Sequence, residues 1–477
     1  MNDRFVYRFA LLFLIITGGC KKFVEVPAPV YQLMTNNVFK SNEKANGALT
    51  TIYAQMIYGN TSPFHIALYT GLAGDELANP PDEFTLEIYS NAVNAKHNIY
   101  SGTVWETVYN YIYQANMVYE YCDKATALNP ALRKQLMAEA LFIRAYWHFY
   151  LLNMYGDIPV VISTEYNINK QLSRTPVADV YKQIVRDLTA AQRDLSVNYV
   201  GADGIAVSKE RLRPDQAVAA ALLARVYLYM GKYNEAEEQA SLVIGLNGTY
   251  KLVAPEMVFK KDSEEAIWQL MVPKENFSDI NTPEGKGFIL TDHTGLSKQA
   301  IISTQLYNSF EKGDLRKDVW IGVYEDKTVS PFKTYCFPFK YKIKGGSELL
   351  EYSMIFRLAE QYLIRAECRA QAGKLKEAIS DIDMIRQRAG LPWLANTDPD
   401  ISKIALLNAV LKERQVELFT EQAHRWFDLK RTQTVDAIMN MVTASKGSVW
   451  KTDMQIWPLP TSELWNNSNL KQNPGYN

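Results

Sequence analysis

The sequence contains little cysteine, with four residues among 477: Cys20, Cys122, Cys336 and Cys368. None of them stands at the short spacing of paired zinc ligands, and the three after Cys20 cannot form a disulfide framework. We therefore expect these three thiols to be small buried side chains. The 47% of hydrophobic residues is enough for a large core, so the fold does not need covalent or metal cross-links.

Catalytic fingerprints are missing as well. The five histidines show no HxH, HxxxH or HExxH spacing, and the chain has no G-x-S-x-G elbow, phosphate-binding loop or dinucleotide fingerprint. A net charge of -1 gives no basic excess, so the composition does not indicate a nucleic-acid-binding protein. The sequence thus offers no pattern typical of a metal hydrolase, a serine hydrolase or a nucleotide-binding enzyme.

Two adjacent acid pairs, Asp75-Glu76 and Asp82-Glu83, are the nearest approach to a glycosidase signal. Glycoside hydrolysis needs two carboxyl groups at a defined separation, whereas adjacent acids in a loop are usually solvated. The segment "HRWFDLKR" looks catalytic at first sight, but on a helix it predicts a packing stripe with an internal Arg425–Asp428 ion pair.

Long hydrophobic runs are absent too. The longest candidate, Phe9 to Thr17, has nine residues, whereas a membrane-spanning helix needs about 20. Basic residues precede it and Gly-Gly-Cys follows, a pattern typical of a lipoprotein signal peptide over residues 1–19 with Cys20 as the lipidated first mature residue. Thr17 stands where such signals usually have Leu, so plain secretion and a buried helix remain alternatives.

Helical patterns dominate the rest of the chain. Ala217 to Ile244 follows the tetratricopeptide pattern of two helices joined by a turn at Gly231, and Tyr362 to Arg386 is a second copy with its turn at Gly373. The two copies share the motif "GKxxEA". Small residues at these positions allow two helices to approach closely.

These patterns predict a mainly α-helical fold, in which tetratricopeptide-like helix pairs form a scaffold with irregular loops and short β-strand insertions. The length allows one large domain or two to four ordinary ones. The predicted helical scaffold occupies about 36–58, 103–245 and 349–435. Irregular insertions occupy about 59–102 and 246–348, and a wrapped tail occupies 445–477, because turn signals and prolines concentrate there.

Four separated segments resemble one family, the SusD/RagB surface lipoproteins of polysaccharide-utilisation systems. They are "CKKFVEVPAP" after the signal peptide, "AEALFIRAYWHFYLLNMYGDIPVV" with its Tyr-Gly-Asp-x-Pro turn, "LKERQVELFTEQAHRWFDLKRT", and the terminal "WPLPTSELWNNSNLKQNPGY". The third differs from the usual family pattern, because Gln422-Ala423 replaces a single Gly. The resemblance extends from Cys20 to the C-terminus and implies one SusD-like domain over residues 20–477.

The resemblance implies an outer-membrane protein that is lipid-anchored and exposed at the cell surface. Its implied partners are a glycan ligand and a SusC-like TonB-dependent transporter, which it covers as a lid. It implies no enzymatic activity, no nucleic acid and no cofactor, and it leaves a structural calcium ion open. Three alternatives remain. The protein could have the same lid role with a peptide cargo, it could be a glycosidase, or it could be a periplasmic tetratricopeptide adaptor.

Sugar rings stack their C–H faces on aromatic side chains, and their hydroxyls need polar partners. We therefore take candidate ligand-binding residues from the two predicted insertions. They are Asp75, Tyr89, Asn91, Tyr100, Trp268, Trp320 and Tyr335.

Overall fold

A computed structural model describes residues 37–95, 99–273 and 279–476. The predicted signal peptide and Cys20 lie outside the described residues. The longer helices are α1 (Asn42–Met56), α2 (Pro63–Ala73), α3 (Glu83–Tyr89), α4 (Ile99–Lys124), α5 (Pro130–Tyr155), α7 (Val177–Asp194), α8 (Gln216–Tyr229), α9 (Tyr233–Gly245), α13 (Leu358–Gln371), α14 (Leu375–Arg388), α16 (Lys403–Glu417), α17 (His424–Arg431) and α18 (Val435–Ser445). The short ones are α6 (Tyr166–Asn169), α10 (Pro283–Phe288), α11 (Thr304–Ser309), α12 (Leu315–Trp320), α15 (Leu394–Thr397) and α19 (Thr461–Asn466).

The described residues also contain six strands: β1 (Leu77–Ala78), β2 (Ala266–Leu270), β3 (Ile301–Ile302), β4 (Ile321–Asp326), β5 (Lys333–Pro338) and β6 (Ser353–Arg357). They form three two-stranded antiparallel sheets, β1–β3, β2–β6 and β4–β5. The prediction of a mainly helical fold with short β-strand insertions is confirmed.

Helix α5 is the centre of the scaffold and packs between α4 and α7. The Asn129 side chain caps its first turn, and 20 of its 26 residues are buried. Its Arg144 is one of them, and the guanidinium pairs with the Asp187 carboxylate of α7 at 2.6 Å. Gly156 ends the helix at φ +75°, a backbone conformation that favours glycine.

The two tetratricopeptide-like copies form helix pairs α8–α9 and α13–α14, and α9 packs on α13. Gly231 and Gly373 make the turns at φ +70° and +77°. Small side chains lie where the helices approach, among them Ala224, Ala236 and Cys368. The prediction of helix pairs at both copies of the motif is therefore confirmed.

The first predicted insertion differs from expectation, because residues 59–95 contain α2 and α3. Nine of the eleven residues of α2 are buried. A helix that is buried on nearly all sides has no polar face, so its sequence shows no amphipathic period. Ser62 caps it, accepting from the His65 backbone N–H at 3.3 Å, and Pro63 occupies the first turn.

A buried charge network joins the scaffold to the second insertion. Glu417, at the end of α16, accepts from the guanidinium groups of Arg316, Arg357 and Arg388. Burial alone would raise the pKa of Glu417, but these three cations hold it well below its ordinary value. The ends of α14 and α16 are thus tied to α12 and β6.

The predicted Arg425–Asp428 pair is wrong. The Arg425 side chain does not pair within α17. Its Nε and Nη2 atoms donate to the Asp75 carboxylate, at 2.9 and 2.6 Å. Asp428 instead pairs with Arg414 and Arg431, both at 2.7 Å. Helix α17 therefore ties the scaffold to the segment that follows α2.

The C-terminal tail lies against the start of α7 and the end of α5. The Asn473 amide donates to the carbonyls of Tyr155 and Trp457, at 2.9 and 2.7 Å. Arg174 donates to the Lys471 carbonyl at 2.9 Å. Side-chain hydrogen bonds, rather than a long helix, therefore hold this segment in place.

Cys122 and Cys368 are buried and Cys336 is half-buried, which fits their expected packing role.

Candidate ligand-binding face

The two predicted insertions meet in space. Strand β1 of the first pairs with β3 of the second, Leu77 opposite Ile302. Beside this ladder the Asn79 amide donates to the carbonyls of Leu296 and Gln299, at 2.7 and 2.8 Å. Two segments more than 200 residues apart in sequence thus form one surface, which we call the insertion junction (residues 75–95, 289–302 and 321–339).

The β4–β5 hairpin supplies the aromatic part of the insertion junction. Its register places Tyr324 directly opposite Tyr335. Cross-strand partners point to the same face of a ladder, so both side chains leave the hairpin on one face. Both are half-buried against the cluster around Leu290 and Leu296, with part of each ring exposed. A partly exposed tyrosine pair on a fixed hairpin is a preformed apolar platform with two phenol hydroxyls.

Carboxylates lie beside this platform. Asp292 accepts from the Thr291 and Thr294 hydroxyls and from the Gly295 N–H, which lower its pKa to about 2. Asp326 accepts from the Thr328 hydroxyl and N–H, which lower its pKa as well. Both acids therefore carry negative charge at neutral pH.

The Tyr324 phenol stays protonated at neutral pH. Desolvation raises its pKa, and the charges of Asp326 and Asp292 raise it further. The insertion junction thus presents a neutral hydroxyl donor next to one exposed, ionised acceptor, Asp292, whereas Asp326 is buried. Apart from Tyr335, the residues of this arrangement were missed by the sequence analysis. The available signal was the alternating run "IGVYEDKTVSPFKTYCFP", whose hairpin pairing places Tyr324 across from Tyr335.

Two of the predicted aromatic residues are not on this surface. Trp268 and Trp320 are both 0% exposed. The Trp268 Nε1–H donates to the Leu212 carbonyl at 3.1 Å, and the Trp320 Nε1–H donates to the Pro255 carbonyl at 2.9 Å. A ring with no exposed face cannot stack on a sugar, so the structure corrects the assignment of both tryptophans to the ligand site.

Asp75 and Asn91 are buried too, with their polar atoms engaged. Asp75 pairs with Arg425, and the Asn91 amide donates to the Ala73 carbonyl at 3.0 Å and accepts from the Thr443 hydroxyl at 2.9 Å. These two residues therefore hold the insertion junction onto α17 and α18 rather than facing a ligand, which corrects their predicted role.

Tyr89, at the end of α3, is half-buried beneath the Lys446 ammonium, which lies 4.7 Å from the ring centroid. The side chain of Tyr100 lies outside the described residues. Tyr335, Tyr89 and Tyr100 stay predictions as ligand contacts, and the structure places Tyr335 on the hairpin platform.

A groove of about 630 Å³ adjoins the end of the first insertion. Residues 91–95 form one wall, and the tail forms the other through Lys451, Asp453, Gln472 and Tyr476. Amide, ammonium and carboxylate groups line it beside Met454 and Leu464. The groove offers polar partners of the kind that hydroxylated ligands need.

Metal ligands do not cluster in the part of the chain that the structure describes, where no group of three or more His, Cys, Asp and Glu side chains could hold an ion. Over the same residues, no helix has both the length and the apolar character needed to cross a bilayer.

Comparison with known families gives two matches. The model of the SusD family matches residues 326–476, and a second model, described as starch-binding and associating with the outer membrane, matches residues 22–228. Among curated proteins, two SusD-like proteins of Formosa agariphila, P2 and P38, are 25% and 24% identical. The alignments cover 98% of this chain in both cases and 99% and 97% of the relatives.

Solved structures share the fold. A SusD superfamily protein from Bacteroides vulgatus superposes with a TM-score of 0.77 at 21% identity, covering 92% of this chain and all of the other. A laminarin-binding SusD-like protein gives 0.73 at 22% identity, covering 91% and 99%. The surface glycan-binding protein A from Bacteroides uniformis gives 0.73 at 19% identity with the same coverage.

Proposed function

Because the chain belongs to the SusD/RagB family, we propose that it is a glycan-binding lipoprotein of the cell surface. In this proposal it captures oligosaccharide or polysaccharide and passes it to a SusC-like TonB-dependent transporter in the outer membrane. It binds its cargo without cleaving it.

The observation that carries the proposal is the Tyr324–Tyr335 pair at the insertion junction. A pyranose ring lays its C–H face on an aromatic ring, while its hydroxyls need charged or amide partners. The exposed parts of the two rings supply the first requirement, and Asp292, beside them, supplies an ionised acceptor. Because the hairpin fixes both rings, little conformational entropy is lost when the ligand binds.

Two relatives support carbohydrate as the cargo, since one is named as laminarin-binding and the other as a surface glycan-binding protein. The alternative is the same lid role with a peptide cargo. A peptide with charged termini would favour a closed site with charges at its ends, whereas the hairpin platform is open and aromatic.

The test is binding of the soluble chain, starting at Lys21, to a panel of polysaccharides. We expect retention by at least one glycan. Tyr324→Ala and Tyr335→Ala should each weaken that affinity by about tenfold or more, equivalent to about 1.4 kcal/mol. Tyr166→Ala is the matched control, because Tyr166 is 73% exposed on α6, away from the insertion junction, and should bind normally.

Retention of peptides with no retention by any glycan would replace the carbohydrate cargo by a peptide. Cleavage of a polysaccharide by the purified protein would show an enzyme instead.

Membrane attachment has its own test. Replacing Cys20 by Ala should release the protein from the membrane fraction when it is produced without its transporter. If the variant remains in the membrane fraction, the proposed lipid anchor is wrong.

A further inference from the structure

The C-terminal tail carries an unusually exposed tryptophan beside a groove. Trp465 is 84% exposed, more than any other large hydrophobic side chain among the described residues, although tryptophan is highly buried in most folds. It lies on α19, four positions after Thr461 and next to Leu464, and both of these line the groove of about 630 Å³ between residues 91–95 and the tail. Residues four apart share one face of a helix, so Trp465 stands at the rim of this groove, which we call the tail groove.

The walls of the tail groove are fixed to each other. The Thr461 hydroxyl donates to the Ala95 carbonyl at 2.8 Å and joins the tail to the opposite wall. Within the tail, the Tyr476 hydroxyl donates to the Ile456 carbonyl at 3.0 Å. A groove whose walls are already bonded to each other loses little conformational entropy when it takes a ligand.

Gly475 brings an aromatic ring and a carboxylate together in the tail wall. Its φ is +85°, and a Cβ at this position would lie 2.8 Å from the Asp453 Cβ. Glycine allows the backbone to pass this close to Asp453. The next residue is Tyr476, half-buried in the same wall, and the pKa of its phenol is raised by burial and by the Asp453 charge. Tyr476 and Asp453 therefore line the groove as close neighbours.

The lining of the tail groove is mixed. Lys451 and Asp453 are exposed and contribute an ammonium and a carboxylate. Val93, Met454 and Leu464 are half-buried and contribute apolar surface. The charged groups disfavour a purely apolar ligand such as a lipid chain, since contact with it would leave them without hydrogen-bond partners. A sugar suits both parts of the lining, because it has apolar C–H faces and hydroxyls on its edges.

We propose that the tail groove is a second carbohydrate subsite. Trp465 and Tyr476 take the C–H faces of sugar rings, and Lys451 and Asp453 take their hydroxyls. This inference rests on the proposed glycan-binding function and narrows its ligand. A chain that engages both the tail groove and the hairpin platform is an oligosaccharide or polysaccharide of several sugar units rather than a short sugar.

The two subsites have a fixed relation to each other. The first insertion contributes β1 to the insertion junction and residues 91–95 to the tail groove. Between them, the Asn91 amide donates to the Ala73 carbonyl at 3.0 Å and accepts from the Thr443 hydroxyl at 2.9 Å. A glycan bound at one subsite therefore presents its further sugar units to the other at a raised effective concentration, which increases the overall affinity for long chains.

The test compares a polysaccharide that the soluble chain retains with the shortest oligosaccharide fragment of it that is still retained, by titration calorimetry. Trp465→Ala should weaken binding of the polysaccharide by about fivefold or more, because one stacking contact is lost, and should leave affinity for the fragment within about twofold. Asp453→Ala should show the same pattern. Tyr324→Ala should instead weaken binding of both ligands, since the hairpin platform holds the short fragment.

Trp393→Ala is the matched control, because Trp393 is 42% exposed and belongs to neither subsite, so both ligands should bind normally. Native polysaccharide affinity in Trp465→Ala would overturn the second subsite. An equal loss for the fragment would overturn it too, because Trp465 would then belong to a single site. If the native chain retains no glycan at all, it is the proposed function that fails.

Hydrogen exchange of the native chain gives a second readout that needs no variant. Saturating polysaccharide should slow amide exchange in residues 91–95 and 451–455 as well as in 321–339, whereas the short fragment should protect 321–339 alone. Residues 358–371 of α13 should exchange as before with either ligand. Protection confined to 321–339 with both ligands would contradict the tail subsite and leave the proposed function standing.

Discussion

The scaffold and the insertion junction use the same residue types in opposite ways. In the scaffold, tryptophans such as Trp147 are fully buried, and acids such as Glu417 are surrounded by arginines. At the insertion junction, Tyr324 and Tyr335 are only half-buried, and Asp292 is stabilised by hydroxyls and a backbone N–H while it remains exposed. Residue type alone therefore does not distinguish side chains that stabilise the fold from side chains that face a ligand. Their burial and their pairing partners distinguish the two groups.

The difference between the scaffold and the insertion junction also sets the direction in which folding stability changes with pH. Glu417 has a lowered pKa because three cations surround it. Glu76, at the base of the insertion junction, has its pKa raised to about 8 by burial and by the adjacent Asp75. The scaffold acid thus favours folding when it is charged, and the junction acid favours folding when it is protonated.

The largest expected effect is in the scaffold. Glu417→Gln should lower the free energy of unfolding by about 3–5 kcal/mol, because it leaves three buried guanidinium groups without their shared carboxylate. Urea titration of the soluble chain measures this. Glu325→Gln is the matched control, since its pair with Lys327 is exposed and should change stability by less than about 0.5 kcal/mol. Equal effects at the two positions would remove the contrast between buried and exposed acids.

Glu76→Gln tests the pH dependence at the insertion junction. With a folded-state pKa of about 8 against about 4.3 unfolded, the folded protein binds more protons between these values, so stability falls as pH rises through this range. The glutamine variant should be more stable than the native chain at pH 9, by on the order of a few kcal/mol at about 1.4 kcal/mol per pKa unit. The difference should vanish below about pH 4. Parallel pH profiles for the two proteins would show that Glu76 ionises normally.

Trp268→Phe separates the two kinds of aromatic residue. We expect it to cost about 1–3 kcal/mol, because the smaller ring leaves a space and the hydrogen bond to the Leu212 carbonyl is lost. Glycan affinity should stay within about twofold of the native value. Tyr335→Ala is expected to weaken glycan binding while changing stability little. Thermal unfolding measures the stability of each variant, and a binding assay measures its glycan affinity. A large affinity loss in Trp268→Phe with unchanged stability would return this tryptophan to the ligand site.

The smallest effect compares the two helix-pair turns with each other. Gly231 and Gly373 have φ of +70° and +77°, and a Cβ at either position meets no atom within 4 Å. Gly231→Ala and Gly373→Ala should therefore each cost only the backbone penalty, about 1 kcal/mol. Chemical denaturation would detect it. A loss several times larger at one turn would mean that the two copies are not equivalent.

Local patterns were sufficient for most of the scaffold. The motif "GKxxEA" predicted both helix pairs, since a turn glycine between two small-residue helices is a short-range signal. The same approach missed α2, whose eleven residues are apolar on nearly every side. It also placed Arg425 with Asp428, its neighbour on the same helix, although its partner is Asp75, 350 positions earlier.

Short-range signals were enough for the fold class, the helix pairs and the motifs shared with SusD-like proteins, because helix periodicity, turn glycines and contiguous motifs are encoded within a few tens of residues. Which aromatic rings reach the surface depends on the tertiary structure instead. Trp268 is enclosed by contacts with α1, α5 and β6, whereas Tyr324 and Tyr335 are only partly buried against the cluster around Leu290. Exposure is a property of all the segments that surround a side chain, and those segments are distant in the chain.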